Sequence, residues 1–306
     1  MTASPQSLLQ VRNLVKSYAA RRGFVRTRAV TGPAVNDVSF EIRRGETLGL
    51  VGESGSGKST IGRAVTMLSP PDEGAVAFDG VDLTALSARR LRRIRKRFQV
   101  VFQDPYASLS PRMRVGEFIA EPLRIHKVGR SRAEIADRVA ELLTMVGLDP
   151  AFAKRYPHQF SGGQRQRLCI ARAIALNPDF IVADEPISAL DVSIQAQVIT
   201  LLQSLQRDLN LTYLFISHDL SIVRHICHRT AVLYRGRIVE LAPTELLFTD
   251  ARHPYTKVLL SAVPIPNPKR ERARRHLLMD PDFDYSEPNS SLVEVAPGHW
   301  LAAGRA

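Results

Sequence analysis

The fold is decided by one stretch of this 306-residue sequence: Gly52-Glu53-Ser54-Gly55-Ser56-Gly57-Lys58-Ser59-Thr60. It matches the phosphate-binding pattern GxxxxGK[ST]. A short apolar run at residues 47–51 precedes it, and apolar side chains at helical spacing follow it from Ile61 to Leu68. A buried strand, a glycine-rich loop and a packed helix in this order predict an α/β fold with an anion site at the loop.

The loop carries groups that suit a triphosphate. Backbone N–H groups at a helix N-terminus attract anionic oxygens, and glycine lets the backbone approach closely. The Lys58 ammonium can lie between the two outer phosphates, and the Ser59 hydroxyl suits Mg²⁺. A glycine-rich turn that binds nothing is one alternative. A dinucleotide loop is disfavoured because Thr60, which also suits helix packing, replaces the third glycine of GxGxxG. The predicted nucleotide contacts are Gly52, Ser54, Gly55, Ser56, Gly57, Lys58, Ser59 and Thr60.

Several apolar patterns predict further strands. Val38, Phe40 and Ile42 alternate with polar residues, as in a strand with one buried face. Two apolar segments flank Arg235 and Gly236, which predicts a closing hairpin. The two strands of that hairpin are predicted at residues 231–234 and 237–241. Further strands are predicted at residues 98–102, 180–183 and 213–217.

Helical periodicity fills intervals between these strands, most clearly at residues 135–146 and 194–209. This alternation predicts a mostly parallel core sheet covered by helices, with an antiparallel β subdomain at the start and a helical subdomain at about residues 104–175. The core domain is expected to span residues 1–245, followed by a C-terminal extension at 246–306. Six prolines after residue 263 interrupt the periodicity, so the last 40 or so residues are expected to be loosely structured.

Two adjacent carboxylates, Asp184 and Glu185, follow the apolar run at 180–183. Ligands bind at this edge of α/β sheets. Asp184 is placed to hold the hydration shell of Mg²⁺, and Glu185 can orient, or accept a proton from, a water that attacks the terminal phosphate. A solvent-facing acidic turn is the commoner fate of such a pair, but the apolar strand before it and Pro186 after it favour a site.

A second phosphate-binding pattern, Ser161-Gly162-Gly163-Gln164, precedes a helical segment. It offers backbone donors and a serine hydroxyl at a helix N-terminus. One chain rarely needs two such elements for one triphosphate. We therefore expect two subunits to pair head to tail, each offering residues 161–164 to nucleotide held by the Lys58 loop of the other.

The sequence is strongly basic, with a net charge of +12 from 42 Lys and Arg against 30 Asp and Glu. Basic clusters lie at residues 89–97 and 269–275 and would suit an acidic partner, nucleic acid or anionic lipid. Neither cluster has interleaved aromatics or a known nucleic-acid motif, so solvated surfaces are favoured. No nucleic acid is expected as a partner.

The two cysteines, Cys169 and Cys227, lie in apolar stretches without a partner at metal-ligand spacing. This pattern predicts two buried thiols in a reducing compartment. The first ten residues lack the basic and apolar regions of an export signal. No apolar run reaches the ~18–20 residues that a membrane span needs, so a membrane role would be peripheral.

The sequence contains six motifs that resemble the motif set of ABC transporter ATPases and follow one another in the same order as in that set. The resemblance implies the P-loop NTPase fold, binding of ATP with Mg²⁺, and ATP hydrolysis. The motifs are residues 52–60, Gln103 in VFQDP, residues 161–164, Asp184-Glu185, Asp191 in SALD, and His218.

The resemblance also implies roles for single residues. Gln103 would sense Mg²⁺ and the attacking water while linking the ATP site to the helical subdomain. His218 would contact the terminal phosphate and help position the catalytic Glu185. Asp191 would communicate between the two sites of a dimer, and it also suits capping of the next helix. The aromatic side chain that stacks on adenine is expected to be Tyr18 or its competitor Phe24. The implied magnesium contacts are Ser59, Gln103 and Asp184.

Three segments narrow the resemblance to ATPases of oligopeptide, dipeptide and nickel importers. They are VFQDPYASL at 101–109, HPYTK at 253–257 followed by LLSAVP, and VAPGHW at 295–300. Residues 1–245 would be the ABC ATPase domain and 246–306 an extension of the oligopeptide/dipeptide-transporter type. Many relatives carry a cysteine cluster in that extension, but no cysteine follows Cys227 here, so no iron–sulfur cluster is expected. In these ATPases, threonine usually follows the Asp-Glu-Pro segment, whereas Ile187 stands there in this sequence. We expect this change to affect packing only.

These implications form a transport hypothesis. The partners would be two transmembrane permease subunits, a second identical or paralogous ATPase subunit, and, through the permeases, an extracytoplasmic solute-binding protein. The chain would lie at the cytoplasmic face of the inner membrane. A soluble ABC ATPase of translation or DNA repair is disfavoured by the single ATPase domain and the importer-like tail. A regulatory subunit without turnover is disfavoured by the presence of Glu185 and His218.

Overall fold

The computed structural model describes residues 7–18, 32–104, 108–129, 131–188, 190–263, 277 and 291–302. Its strands are β1 (Ser7–Lys16), β2 (Val35–Arg43), β3 (Thr47–Val51), β4 (Glu73–Phe78), β5 (Val81–Asp82), β6 (Phe98–Val101), β7 (Phe180–Asp184), β8 (Thr212–Ile216), β9 (Arg229–Tyr234), β10 (Arg237–Pro243), β11 (Leu292–Ala296) and β12 (His299–Ala302).

The helices lie mainly between these strands. Within the ranges given above, no helix has both the length and the apolar character needed to cross a bilayer. The α-helices are α1 (Lys58–Val65), α2 (Ala88–Ile94), α3 (Val115–Ile125), α4 (Arg132–Met145), α5 (Gly162–Ile174), α6 (Val192–Leu209), α7 (Leu220–Ile226), α8 (Thr244–Thr249) and α9 (Pro254–Ser261).

The chain folds into two compact units. The first comprises Met1–Arg43, Thr47–Ala85 and Phe215–Ala306, and the second comprises Arg44–Glu46 and Leu86–Leu214. Each unit is assembled from separated stretches of sequence. The domain boundary expected at residue 245 stays a prediction.

The first unit contains an antiparallel sheet with the strand order β2-β1-β4-β5. In β1, Leu8, Leu9, Val11 and Leu14 are buried, and shifts in its pairing with β2 interrupt a strict two-residue alternation. Val11 lies opposite Phe40 of β2. The predicted alternation in β2 is confirmed, because Val38, Phe40 and Ile42 are all buried. This sheet is the antiparallel start that the sequence predicts.

The same unit contains strands of a second sheet, in the order β11-β12-β10-β9-β3. Strand β3 is buried at every residue and runs parallel to β9, with Leu48 opposite Arg229. Strands β9 and β10 form the predicted hairpin. Its turn residues Arg235 and Gly236 have φ values of 45° and 79°, the left-handed pair that tight hairpins favour.

The expectation of a loosely structured C-terminus is wrong for residues 292–302. Strands β11 and β12 form an antiparallel hairpin that turns at Gly298, where φ is 71°. Trp300 of β12 lies opposite Leu241 of β10, so the hairpin extends the sheet of the first unit. The prolines that prompted the expectation are concentrated at 264–288, and Pro297 stands in the turn, where it interrupts no ladder.

The second unit contains the strand order β8-β7-β6, with β6 parallel to β7. Val101 of β6 lies opposite Ala183 of β7, and both residues are buried. Helices α3, α4 and α5 follow β6 and precede β7, in the interval predicted to be a helical subdomain. The carboxyl ends of β6 and β7 therefore lie side by side, which positions the residues that follow them.

Helix α1 ends earlier than the spacing of apolar residues predicts. Met67 adopts a left-handed φ of 54°, its N–H donates to the carbonyl of Ala64, and the N–H of Leu68 donates to that of Arg63. These two bonds form a Schellman C-cap. Leu68 is consequently outside the helix and 52% exposed, not on its buried face.

Candidate active site

The P-loop, residues 52–60, lies in the first unit between β3 and α1. Two of its glycines permit close packing that no other residue would. A Cβ on Gly52, where φ is 150°, would lie 2.2 Å from the carbonyl oxygen of Leu233 in β9. A Cβ on Gly57, where φ is 107°, would lie 2.4 Å from the carbonyl oxygen of Ala34. The loop therefore needs glycine at both positions to pass between its neighbours.

Lys58 is buried with its ammonium group inside the loop. Its Nζ donates to the carbonyl oxygens of Gly52 and Glu53, at 2.7 Å each, and only 5% of the residue is exposed. A buried ammonium requires such compensation by acceptors or anions. The positive charge is thus fixed beside the loop backbone, where P-loop enzymes bind the outer phosphates. Ser59 and Thr60 follow in the first turn of α1 and are half-buried.

A residue outside the predicted set also contacts the P-loop. The backbone N–H of Glu53 donates to the hydroxyl oxygen of Tyr255 at 3.2 Å. Tyr255 is fully buried, and burial raises its pKa to about 12, so the hydroxyl stays protonated at neutral pH. Its sequence signal is the HPYTK segment at 253–257, which the resemblance used only to assign the subfamily.

The two predicted carboxylates stand at the end of β7 in the second unit. Asp184 is 6% exposed, and Glu185 follows it with a left-handed φ of 46°. Such a backbone is uncommon for a residue with a side chain and costs about 1–3 kcal/mol. Oε2 of Glu185 accepts a hydrogen bond from Nε2 of Gln103 at 3.0 Å. The structure therefore brings Gln103 and Glu185 together and fixes the carboxylate by a strained turn and a side-chain hydrogen bond.

Residues 161–164, also in the second unit, form the N-terminus of α5 as the sequence predicts. Ser161 Oγ accepts from the N–H of Gln164 at 3.4 Å, and the Gln164 side chain accepts from the N–H of Ser161 at 3.1 Å. This reciprocal pair is a capping box. Gly162 begins the helix, and a Cβ on Gly163 would lie 2.4 Å from Ile194 of α6. Glycine at 163 therefore lets α5 and α6 pack closely.

The remaining predicted residues are exposed. Asp191 occupies the N-cap position of α6, but its side chain makes no capping hydrogen bond. His218 is exposed in the short connection between β8 and α7. Tyr18 is 47% exposed, with the Nζ of Lys16 6.0 Å from its ring centroid. Phe24 lies outside the described residues, so the choice between the two aromatics stays open.

The predicted magnesium contacts are all oxygen donors. A serine hydroxyl, an amide and a carboxylate are the hard ligands that Mg²⁺ prefers, and Ser59, Gln103 and Asp184 supply them. In the described part of the chain, no group of three or more His, Cys, Asp or Glu side chains could hold a metal ion. Taken singly, each of these donors suits Mg²⁺, an ion that usually keeps several phosphate and water oxygens among its ligands.

A cavity of about 950 Å³ in the first unit lies elsewhere. Its lining includes Phe40, Arg229, Arg237, Glu294 and Trp300, and none of the predicted site residues. A phosphate site built from a backbone loop at a helix N-terminus does not need a deep apolar cavity. This cavity is consequently not a guide to the predicted site.

Two family models match the chain. The ABC transporter model matches residues 35–188, and the model of the oligopeptide/dipeptide transporter C-terminal region matches residues 239–285. Among solved structures, the ATP-binding cassette MJ0796, in a dimeric post-hydrolysis state bound to ADP and Pi, is similar with a TM-score of 0.67 and 32% sequence identity. That match covers 77% of this chain and 98% of the other. The predicted fold class is thereby confirmed.

Curated relatives are similar over almost the whole chain. The oligopeptide transport ATP-binding protein OppF of Bacillus subtilis is 50% identical over 299 residues, which are 97% of this chain and 96% of the relative. The glutathione import ATP-binding protein GsiA of Salmonella paratyphi A is 51% identical over 303 residues, which are 97% of this chain. This chain spans only 48% of the length of GsiA. The shared motifs, the cassette fold and these matches show that the chain belongs to the ABC transporter family.

Proposed function

We propose that this chain is the ATP-binding and ATP-hydrolysing subunit of an ABC transporter that imports oligopeptides, dipeptides or related small solutes. The P-loop around Lys58 supports the nucleotide part of this proposal. The 50% identity with OppF, over nearly the full length of both chains, supports the transport part. The names of the relatives refer to oligopeptides and to glutathione, so we infer that the cargo is a small peptide.

The P-loop would hold the phosphates of ATP through its backbone N–H groups and the Lys58 ammonium. Tyr18 would stack on adenine. Because residues 161–164 form a second helix N-terminus, they would contact nucleotide held by the P-loop of a paired subunit. The proposed contacts on one chain are Gly52, Ser54, Gly55, Ser56, Gly57, Lys58, Ser59, Thr60, Tyr18, Ser161, Gly162, Gly163, Gln164 and Asp191.

Hydrolysis would depend on Glu185, which would orient the attacking water and accept its proton. The observation that carries this role is the hydrogen bond from Gln103 to the Glu185 carboxylate, together with the left-handed backbone that presents it. His218 would contact the terminal phosphate. Ser59, Gln103 and Asp184 would hold Mg²⁺, which neutralises developing charge on phosphate oxygens when it is bound.

In the complete transporter, two ATPase subunits would pair head to tail and sandwich ATP. The solved MJ0796 cassette is a dimer, which supports such pairing. The helical subdomain would contact one of two transmembrane permeases at the cytoplasmic face of the inner membrane. A solute-binding protein would deliver the peptide from the other side. No nucleic acid is expected in this assembly, and no iron–sulfur cluster is expected in the chain.

A pair of variants tests the two chemical roles. Glu185→Gln keeps the size of the side chain and removes the base, so we expect ATP turnover to fall by about 10²-fold or more while ATP binding is retained. Lys58→Ala should weaken ATP binding itself, because it removes the ammonium that faces the phosphates. Both are measured on the full chain, by phosphate release and by titration with ATP.

Glu141→Gln is the matched control for the turnover assay. Glu141 is an exposed residue of α4 in the same unit, paired only with the neighbouring Arg138 among the contacts described, so its loss should leave turnover unchanged. Unaltered turnover in Glu185→Gln would contradict the role of that residue. Unaltered ATP affinity in Lys58→Ala would contradict the role of Lys58 in phosphate binding. If the wild-type chain bound ATP but released no phosphate, a regulatory subunit without turnover would be favoured.

A further inference from the structure

A peptide group of the P-loop is held from both sides. The peptide bond between Gly52 and Glu53 directs its N–H to the hydroxyl of Tyr255 at 3.2 Å. The carbonyl of the same peptide group accepts from the Nζ of Lys58 at 2.7 Å. Because a peptide group is rigid and planar, the orientation of its N–H also sets the direction of its carbonyl. Tyr255 therefore helps to determine where the Lys58 ammonium is held.

Tyr255 is itself fixed at the start of α9. Its ring centroid lies 4.4 Å from that of Tyr234, with the two planes tilted by 47°. Its backbone N–H donates to Nδ1 of His253, the N-cap residue, at 3.2 Å. A fully buried ring with these contacts has little freedom to turn its hydroxyl away from Glu53.

Glu240 connects this turn to the terminal hairpin. Its carboxylate is fully buried and accepts from the backbone N–H groups of Arg252 at 2.8 Å and His253 at 3.1 Å. It also contacts Nε2 of His299 in β12 at 2.7 Å. A buried carboxylate with several donors is well compensated and holds its neighbours in place. The terminal hairpin thus reaches the P-loop through Glu240, the 252–253 turn and Tyr255.

We propose that Tyr255 is a positioning residue for the P-loop and that the C-terminal segment supports the nucleotide site through it. The hydroxyl holds the Gly52–Glu53 peptide group in the orientation that places the Lys58 ammonium for phosphate binding. This inference rests on the proposed function, because it treats the P-loop as the ATP site. It gives the C-terminal segment a task within the ATPase subunit, in addition to any contact with other subunits.

Tyr255→Phe tests the proposal, because it removes the hydroxyl and keeps the ring. The loss of one neutral hydrogen bond corresponds to about a 3- to 10-fold change in an equilibrium constant. We expect the Kd and KM for ATP to rise by that factor, with kcat at saturating ATP within about twofold of wild type. A residue that only stabilised the fold would not separate KM from kcat in this way.

Tyr213→Phe is the matched control. Tyr213 is also fully buried, and its hydroxyl donates to the backbone carbonyl of Leu202 at 3.2 Å, in the second unit. Both variants should lower the thermal midpoint by similar amounts, but Tyr213→Phe should leave ATP affinity unchanged. Equal ATP affinity in Tyr255→Phe and wild type, or equal loss in both variants, would overturn the proposal.

Hydrogen exchange of the full chain without nucleotide separates this inference from the proposed function. In Tyr255→Phe we expect the Glu53 amide to exchange about tenfold faster or more, because its hydrogen-bond acceptor is gone. Tyr213→Phe should show wild-type exchange there. Unchanged exchange at Glu53 in Tyr255→Phe would overturn the positioning role. If wild type bound no ATP, the proposed function would fail, and the exchange result would still decide whether Tyr255 holds the loop.

Discussion

Gly52→Ala is a direct test of the packing that holds the P-loop against β9. The added Cβ would lie 2.2 Å from the carbonyl oxygen of Leu233 and 2.9 Å from Oγ of Ser56, whereas ordinary contacts begin at 3.4 Å. The nearer obstacle is backbone within a sheet, which cannot rotate away as a side chain can. Either the P-loop or strand β9 must therefore move by about 1 Å.

The size of the effect follows from that displacement. A misplacement of about 1 Å at a catalytic site can lower activity by about 10²-fold. Overpacking and a strained backbone at residue 52 together lower stability by about 2–4 kcal/mol. We expect Gly52→Ala to lose at least about tenfold in ATP affinity and about 10²-fold in kcat/KM, measured by titration calorimetry and phosphate release. Urea denaturation measures the loss of stability.

Gly80→Ala controls for backbone strain alone. Gly80 also has a left-handed φ, 77°, but a Cβ there would meet no atom within 4 Å. It should cost about 1–2 kcal/mol of stability and leave ATP binding unchanged. If folded Gly52→Ala bound ATP within about twofold of wild type, the close packing of residue 52 against β9 would not control ATP binding. Equal losses in the two variants would assign the effect to strain and not to the collision with β9.

Two further predictions concern titratable groups. Burial raises the pKa of Cys169 to about 12 and that of Cys227 well above its usual value. Neither thiol should therefore react with a disulfide reagent in the native protein at about pH 8, whereas both should react in urea. Rapid reaction before unfolding would contradict this burial. Burial also lowers the pKa of His253 below its usual 6.5, so the unfolded chain binds this proton more readily and the free energy of unfolding falls as pH drops below 6.5. His253→Asn keeps an acceptor for the N–H of Tyr255 but removes the titrating ring. Its free energy of unfolding, measured by urea denaturation, should therefore fall less than that of wild type between about pH 7.5 and about pH 5.5. Equal losses in the two proteins would show that His253 does not cause the pH dependence.

The parts of the fold that the sequence predicts are those set by short-range patterns. Strand β3 has its predicted bounds because an uninterrupted apolar run is bounded by Gly45-Glu46 and by the P-loop. The hairpin of β9 and β10 follows from the Arg-Gly turn. The sequence predicts helix α1 but not where it ends. Apolar spacing continues to Leu68, whereas Met67 adopts the left-handed conformation that ends the helix.

The parts that the sequence does not predict depend on contacts between distant residues. The terminal hairpin is stable because β12 pairs with β10 and because His299 meets Glu240, 59 positions earlier. The contact of Tyr255 with Glu53 spans 202 positions, and no local pattern signals it. For the predicted catalytic pair, the sequence predicts that Gln103 and Glu185 follow strands, but their hydrogen bond requires that β6 and β7 be neighbours.

The close approach of Gly57 to the Ala34 carbonyl bears on protein engineering. Gly236 crowds the same oxygen, with its Cβ position 2.7 Å away, and its N–H donates to the carbonyl of Ser56 at 2.9 Å. The conformation of residues 52–60 thus depends on packing against two segments that are distant in sequence, one at Ala34 and one at Gly236. A designer who moved only those residues into another α/β scaffold would transfer the proposed phosphate-binding groups without their spacing, so a working graft would need all three segments.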